Sequence, residues 1–571
     1  MIIKEWLKNK IGKKFPGVDF DILTPPEPEL GDYSTNLVFA LAKKDRRTPA
    51  EVGEEIAAKL SALNDFKKVF ERIEFAPPGF VNFYLSKNFL VKSLKDIYGA
   101  GSSFGSSNMG AGQKIIIDYS QPNIAKRMHV GHFRSTIIGD ALANIFEFLG
   151  YGVIRWNYLG DWGTQFGKLI AAYKMWGDKK AVEEKPIETL MALYVRFHDE
   201  MKSNPELEDK GRREFKKLEE GDAENRGLWE WFKNESLEEF DKIYKLLGVR
   251  FDTFEGESFF EKQMKPLVEE LTEKNIARES QGSQIILLEK YGLPPALIQK
   301  SDGASLYITR DIASLRYRIA KYNPAKIIYV VGNEQSLHFQ QLFAIADILG
   351  IKDTELHHVK FGLVLGGEGK KLATREGRVI LLEEVVKKVV DLAAEVVKEK
   401  NPELSEQEWK KIAEAVGIGA LKYNDLHENR HSDIIFDWDR MLNISGDSGP
   451  YLQYTYARLN NIKRKAGWFA GWMIRKSDGK ELETEQDFLL IRKILNFPDI
   501  VSESAQMLLP NILALYLYEL ANLANTYYNS TPILKDKNKN RRKARLMLIG
   551  VAANVLRSGL NLLGIQSPNR I

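Results

Sequence analysis

Hydrophobic and polar positions divide the chain into stretches of different texture. The opening run MIIKEWLKNKIGKKF spaces apolar residues at helical intervals among lysines, which predicts an amphipathic helix. Later, FAPPGFVNFYLS reads as a Pro-Gly turn feeding an alternating strand. Residues 1–112 therefore predict a small α/β module, ending in the Gly/Ser-rich linker GAGSSFGSSNMGAGQ. Over 113–384, the compact apolar runs KIIID, YGVIRW, AKIIYVVG and HHVKFGLVL alternate with helical patterns. Strand–helix alternation with long crossovers predicts an α/β domain with a doubly wound parallel sheet of Rossmann type. A charged helical block at about 175–247 reads as an insertion between the two halves of that sheet. Strand patterns then fade. Residues 385–444 predict a helical connector, and 445–571 an all-α bundle built from runs such as LPNILALYLYELANLANTYYN.

Length agrees with this division, since 571 residues predict roughly three or four domains. Cysteine is absent, which excludes a disulfide scaffold, a thiolate nucleophile and cysteine-ligated zinc or iron–sulfur centres. No run of about 18 apolar residues predicts a membrane span, and the first residues lack a signal-peptide pattern. The expectation is a soluble cytoplasmic protein. The net charge of +4 is uninformative, but its distribution is not. From Ser445 to Ile571 there are 18 Lys and Arg against 10 Asp and Glu, and the rest of the chain carries a net −4. A basic helical tail on a slightly acidic body suggests a polyanionic partner, with a solvated basic surface as the plainer alternative.

The sharpest chemical feature is the run Asp118-Tyr-Ser-Gln-Pro-Asn-Ile-Ala-Lys-Arg-Met-His-Val-Gly-His132. A strand leads through a loop into a helix, the setting in which nucleotides bind at strand carboxyl ends. His129 and His132 stand three apart and share a face, where imidazoles can donate to phosphate oxygens beside the positive helix end. Gly131 leaves room for a base or ribose. A metal-binding pair or capping histidines on a packed helix are the alternatives.

MHVGH resembles the HIGH signature of class I aminoacyl-tRNA synthetases. DYSQPNIAKRMHVGHFRSTIIGDALANI, followed by YLGDWGTQFGKLI, is similar to the arginyl-tRNA synthetases in particular. PPEPELGDYSTNLVFALAK and PPGFVNFYLS resemble that family's N-terminal additional domain, which makes residues 1–112 an expected tRNA-binding domain. DGASLYITRDIAS, VVGNEQSLHFQQLF and GKKLATREG match its core blocks, and GPYLQYTYARL and LRSGLNLLGIQSP its helical anticodon-binding domain.

The resemblance implies activation of arginine by ATP and transfer to tRNA(Arg). It implies that Asp118, Asn123, Gln165, Tyr307, Asp311 and Gln335 bind arginine, with Tyr307 and Asp311 at a strand-to-helix turn and holding the guanidinium. Pro122, Met128, His129, Gly131, His132 and His338 are implied to line the ATP site. The loop from Gly369 to Gly377 occupies the place of the second class I signature, KMSKS, so Lys370, Lys371 and Arg375 are implied to face ATP. Catalysis is then expected from His129, His132, Lys126 and Lys371, with Lys126 supplying charge where Thr374 replaces the usual second loop lysine. Mg²⁺ is expected, bound mainly through ATP, with no metal site made by the protein. Tyr451, Tyr454 and Arg458 are implied to meet the anticodon, and Tyr456 is expected in the core. The family commonly ends in Met where this sequence ends in Ile571. A monomer is expected. Competing readings are a small-molecule nucleotidyltransferase, another class I synthetase, and an inactive RNA-binding relative.

Overall fold

The computed structural model describes residues 2–25, 27–301, 306–365, 380–466 and 479–571. At its centre lie four parallel strands in the order Glu355–Phe361, Lys326–Gly332, Lys114–Asp118, Gly152–Trp156. Sequence-first Lys114–Asp118 thus pairs on one side with its successor and on the other with Lys326–Gly332, so the winding reverses between these two strands. The carboxyl ends flanking such a reversal form a crevice. Consecutive isoleucines explain the burial. Ile115 and Ile117 face one apolar core together with Phe133 and Ile137, while Ile116 faces a second with Ile312 and Leu342. A strand covered on both faces reads as an unbroken apolar run.

The helix Val130–Phe148 fills one face, and is buried on nearly every side. Between Gly152–Trp156 and Lys326–Gly332 the chain forms the helices Thr164–Trp176, Lys179–Glu184, Pro186–Ser203, Glu206–Glu220 and Ala223–Leu247, so the expected insertion is helical. One unit was not foreseen. After the helix Glu257–Glu273, the strands Ala277–Ser280, Ser283–Ile286 and Ala296–Gln299 form a small antiparallel sheet. Its first turn uses Gln281 and Gly282, both at positive φ, as a two-residue hairpin requires. HHVKFGLVL is also divided: Glu355–Phe361 belongs to the central sheet, whereas Val364–Leu365 pairs in parallel with Ile434–Ile435.

The N-terminal residues form an antiparallel sheet ordered Ile22–Leu23, Tyr33–Thr35, Phe80–Leu85, Phe70–Ala76, flanked by helices including Ile3–Lys14 and Pro49–Ser61. This unit docks on the C-terminal helices. The buried Tyr33 hydroxyl donates to Asp499 Oδ2 at 3.1 Å, and Asp32 pairs with Arg492 at 2.9 Å. The Gly/Ser-rich stretch between them is packed rather than free. Gly105, at φ +92, lies so close to Phe497 that a Cβ would come within 2.6 Å of its ring. From Leu382 onward the described residues form helices and loops apart from the strand Ile434–Ile435, with Gly449–Lys465, Pro510–Ser530 and Lys539–Leu562 forming the heart of the bundle. Among the described residues no helix is long and apolar enough to cross a membrane.

Candidate active site

The loop after Lys114–Asp118 and the start of Val130–Phe148 lie at the carboxyl edge of the reversal point. His129 is the N-cap: its Nδ1 accepts from Gly131 N–H at 3.1 Å, and His132 Nδ1 accepts from His129 N–H at 3.1 Å. An imidazole whose Nδ1 accepts must carry its proton on Nε2 when neutral. Both rings are therefore held as Nε2–H donors at a positive helix end, 3.9 Å apart between centroids. Burial, with His129 and Lys126 nearby, depresses the His132 pKa to about 3. Lys126 is half-buried, with its ammonium 5.9 Å from the Tyr194 ring of the insertion. Pro122 and Met128 are buried; the Met128 carbonyl accepts from Leu382 N–H at 3.0 Å, and His129 bridges Leu381.

Behind the loop, Asp118 is almost wholly buried. Its Oδ2 accepts from Arg318 at 2.6 Å and its Oδ1 from Gln121 at 2.8 Å. Burial raises the Asp118 carboxyl above the usual range, and the Arg318 charge and the Gln121 hydrogen bond oppose the rise. Arg318 also stacks against Trp156 at 4.3 Å. Each Asp118 oxygen thus has one partner inside the protein. Asn123 lies against Gly160, where a Cβ would sit 2.2 Å from Asn123 Oδ1. Only glycine allows that approach.

Asp311 sits one turn inside the helix Tyr307–Tyr322, rather than at a strand-to-helix turn; Tyr307 opens that helix on the same face and is 67% exposed. His338, from the helix Ser336–Ile348, places Nε2 2.5 Å from Asp311 Oδ2. The residue assigned to arginine and the residue assigned to ATP thus meet directly. Gln335 stands exposed on the turn Asn333–Gln335, at the carboxyl end of Lys326–Gly332. Gln165 is half-buried at the start of Thr164–Trp176.

Sequence reasoning missed Glu257. Its carboxyl is pushed up to about 7 by burial against the opposing charge of Arg310, with Asp161 and Asp311 adding repulsion. Arg310 approaches only to 3.8 Å. Asp161, by contrast, is fully engaged, accepting from Lys233 at 2.6 Å and from Ser258 N–H at 2.8 Å. A clue was available in the sequence: Gly256 precedes Glu257 where a Cβ would meet the Leu159 carbonyl at 2.4 Å, so a glycine marks a close approach beside an acid. Asp311 is near enough to Glu257 for its charge to help hold that carboxyl up, against the pull of Arg310.

Lys370, Lys371 and Arg375 lie outside the described residues. In the bundle, Tyr451 is half-buried, donating to Asn522 Oδ1 at 2.6 Å and accepting from Asn525 at 3.0 Å. Arg458 bonds Asn525 and Asn529 and lies over Tyr528 at 4.2 Å. Tyr454 is 36% exposed, whereas Tyr456 is buried with its hydroxyl on Asn569.

A family model described as tRNA synthetases class I (R), catalytic domain, matches residues 97–438. Models of the arginyl tRNA synthetase N terminal domain and the DALR anticodon binding domain match residues 1–85 and 452–571. The chain is 43% identical over 550 residues to the arginine–tRNA ligase of Halothermothrix orenii, covering 96% of this chain and 95% of that one. The crystal structure of the Plasmodium falciparum arginyl-tRNA synthetase superposes with a TM-score of 0.83 at 28% identity, covering 100% of this chain and 98% of the other. The Thermus thermophilus arginyl-tRNA synthetase shares the fold with a TM-score of 0.85 at 24% identity, covering 100% and 99%.

A parallel sheet with an HxGH helix at its reversal point, matched by a class I catalytic model, defines a class I aminoacyl-tRNA synthetase fold. Within that class, the chain belongs to the arginyl-tRNA synthetase family. The matches favour this reading over a small-molecule nucleotidyltransferase.

Proposed function

We propose that the chain uses ATP to convert L-arginine to arginyl-adenylate, then transfers the arginyl group to the 3′ end of tRNA(Arg), releasing AMP and pyrophosphate. The observation that carries the reading is Asp311, on the helix face opened by Tyr307 and hydrogen-bonded to His338. A guanidinium is a planar, permanently charged fork, and a carboxylate held in a fixed direction recognises it by charge and shape. Tyr307 and Gln335 complete that end of the pocket, while Asn123 and Gln165 hold the α-amino end.

The arginine carboxylate attacks the α-phosphorus in line, the bond to the bridging oxygen breaks, and pyrophosphate leaves with that electron pair. Catalysis is positioning and charge stabilisation. His129 and His132 donate from Nε2 to phosphate oxygens, and Gly131 admits the nucleotide. Lys126, with Lys370, Lys371 and Arg375, compensates the charge growing on pyrophosphate. The residues proposed to face the phosphates are imidazoles and cations rather than carboxylates, so Mg²⁺ would come with ATP, with phosphate oxygens to hold it, and would neutralise triphosphate charge. The residues up to 112 and from 445 onward bind tRNA, the latter through Tyr451, Tyr454 and Arg458. The chain works as a cytoplasmic monomer.

Amino-acid-dependent ATP–pyrophosphate exchange across all twenty amino acids, with and without tRNA, tests the proposal. Exchange confined to arginine is expected. Exchange driven by another amino acid alone would overturn it.

A further inference from the structure

Several exposed lysines of this protein find an acid one helical turn away, as Lys274 does in Glu270 and Lys410 in Glu406, each at 2.6 Å. One seam is different. The helix Lys87–Ala100 buries Leu90, Leu94 and Ile97 and leaves Lys87, Lys92 and Lys95 exposed. Among the described residues none of these three lysines pairs with a carboxylate. The helix packs on Glu485–Leu495 and Lys539–Leu562 of the bundle. Gly479 fits at the junction, where a Cβ would lie 3.1 Å from Val91 Cγ1 and 3.5 Å from Met547 Cε. The three lysines line a groove of about 690 Å³ together with Lys480, Glu483 and Phe488, and the Lys87 ammonium lies 5.4 Å from the Phe488 ring.

The groove meets the start of Lys539–Leu562 at Asp487. Its Oδ2 accepts from Glu483 N–H at 3.1 Å, and its Oδ1 lies 3.9 Å from Arg545 Nε. From Lys535 to Lys543 the chain carries six cations and one acid. That acid, Asp536, is already shared by Arg541 at 2.7 Å and Arg545 at 2.8 Å. Among the described residues Lys535, Lys537, Lys539, Arg542 and Lys543 pair with no carboxylate. They also crowd the start of a helix, where the backbone dipole already adds positive potential. Cations of the first module and of the bundle thus flank one groove, and an anionic partner relieves their mutual repulsion. Lys87 and Lys95 stand about 12 Å apart along the helix at 1.5 Å per residue, which suits a chain of phosphates better than a single one.

We propose that this seam is a phosphate track for RNA, along which the backbone of tRNA(Arg) crosses from the first module to the bundle. The inference rests on the proposed tRNA substrate and adds a surface made of residues other than Tyr451, Tyr454 and Arg458. Phosphate contacts fix position and register without reading sequence, so the track holds the RNA while the anticodon residues select it.

The test follows the dissociation constant of tRNA(Arg) for the full chain between about 50 and about 300 mM KCl. Wild-type binding and arginylation come first: their absence overturns the proposed function, and this inference with it. Given both, Lys92→Glu with Lys95→Glu, and Lys537→Glu with Lys539→Glu, are each expected to weaken binding by about 5–30-fold near 0.1 M salt. Each pair should also make the slope of log affinity against log salt shallower by about 1–2. Discrimination against a noncognate tRNA should stay within about twofold. All four positions are exposed, so melting temperatures should stay within about 2 °C of wild type. Unchanged affinity and slope in either pair would overturn the continuous track, and lost discrimination at an unchanged slope would overturn its indifference to sequence. Wild-type binding to phosphatidylglycerol vesicles that these substitutions abolish, with tRNA affinity intact, would give the seam to a membrane surface and overturn the inference.

Discussion

Asp311 Oδ2 and His338 Nε2 lie 2.5 Å apart, so the carboxylate proposed to receive the substrate guanidinium is bonded to a side chain implied to lie near the nucleotide. One carboxylate oxygen is left for arginine, and its direction depends on the imidazole. Asp311→Asn removes the charge and disturbs that bond. For a desolvated pair on this scale the loss is about 2–3 kcal/mol, or roughly 30–150-fold in kcat/KM for arginine. The ATP KM should move by less than about threefold. Unchanged arginine kinetics would remove Asp311 from the pocket.

Glu257 is expected to make arginine use pH-dependent, through its charge near Asp311. Its carboxyl, pushed up to about 7, is an attractive carboxylate above that pH and a neutral acid below it. The kcat/KM for arginine should therefore fall as pH drops below about 7, by up to about tenfold per unit. Glu257→Gln should lower the plateau and flatten this limb. A variant that keeps the wild-type profile would assign the titration to another group.

Much of this was legible from pattern alone. KIIID and AKIIYVVG carry unbroken apolar runs because both faces of the central sheet are covered there, and the HxGH helix follows the first across one loop. The antiparallel unit at 277–299 escaped because ARES and SQII are short and half-exposed, with only Gln281-Gly282 to mark the hairpin. The pairing of Asp118 was hidden for a different reason. Its partner Arg318 lies 200 residues away, and no local spacing reveals that an acid at a strand end is already neutralised. Glu257 escaped likewise, since its altered titration comes from residues brought together only by the fold.

Lys126 carries a rate prediction. Its charge adds to the burial and the His129 charge that lower the His132 pKa, so it lies near the start of the HxGH helix. Lys126→Ala should slow adenylation by roughly 10²–10³-fold, the scale of losing one preorganised donor. Arginine affinity should change little, because the contact strengthens as charge develops on pyrophosphate. Thr374→Lys in that background should restore part of the rate. Normal single-turnover adenylation in Lys126→Ala would leave the work to Lys370, Lys371 and Arg375.

His132 should weaken the fold in mild acid. An unfolded histidine takes up its proton as pH falls through about 6.5, whereas folded His132 resists until about 3. The stability tied to the neutral ring is complete above about 6.5 and is lost progressively as pH falls from there toward 3. At pH 5.5 the loss is about 1.4 kcal/mol. The drop in melting temperature between pH 7.5 and 5.5 should therefore be smaller in His132→Gln, by about 1–2 °C. Equal drops would mean that folded His132 titrates normally.

Adenylate formation should depend on bound tRNA, as the family resemblance implies, and one helix offers a physical route. Leu382–Lys400 begins with Leu382 bonded to the Met128 carbonyl beside His129, and at 1.5 Å per residue it spans about 28 Å. Near its far end, Ala393 and Val397 pack with Ile571, and Tyr454 closes the same small cavity. A base docked at Tyr454 would press on a helix whose other end is hydrogen-bonded to the residue before His129. Saturating tRNA(Arg) should raise pyrophosphate exchange by at least about 10²-fold over tRNA-free enzyme, a coupling near 3 kcal/mol. Ile571→Ala enlarges the cavity without touching the active site, so it should raise the tRNA concentration giving half-maximal exchange by about three- to tenfold. The tRNA-saturated arginine KM should stay unchanged. Robust exchange without tRNA would refute the dependence, and an Ile571→Ala enzyme with wild-type tRNA response would place the coupling elsewhere than in this helix.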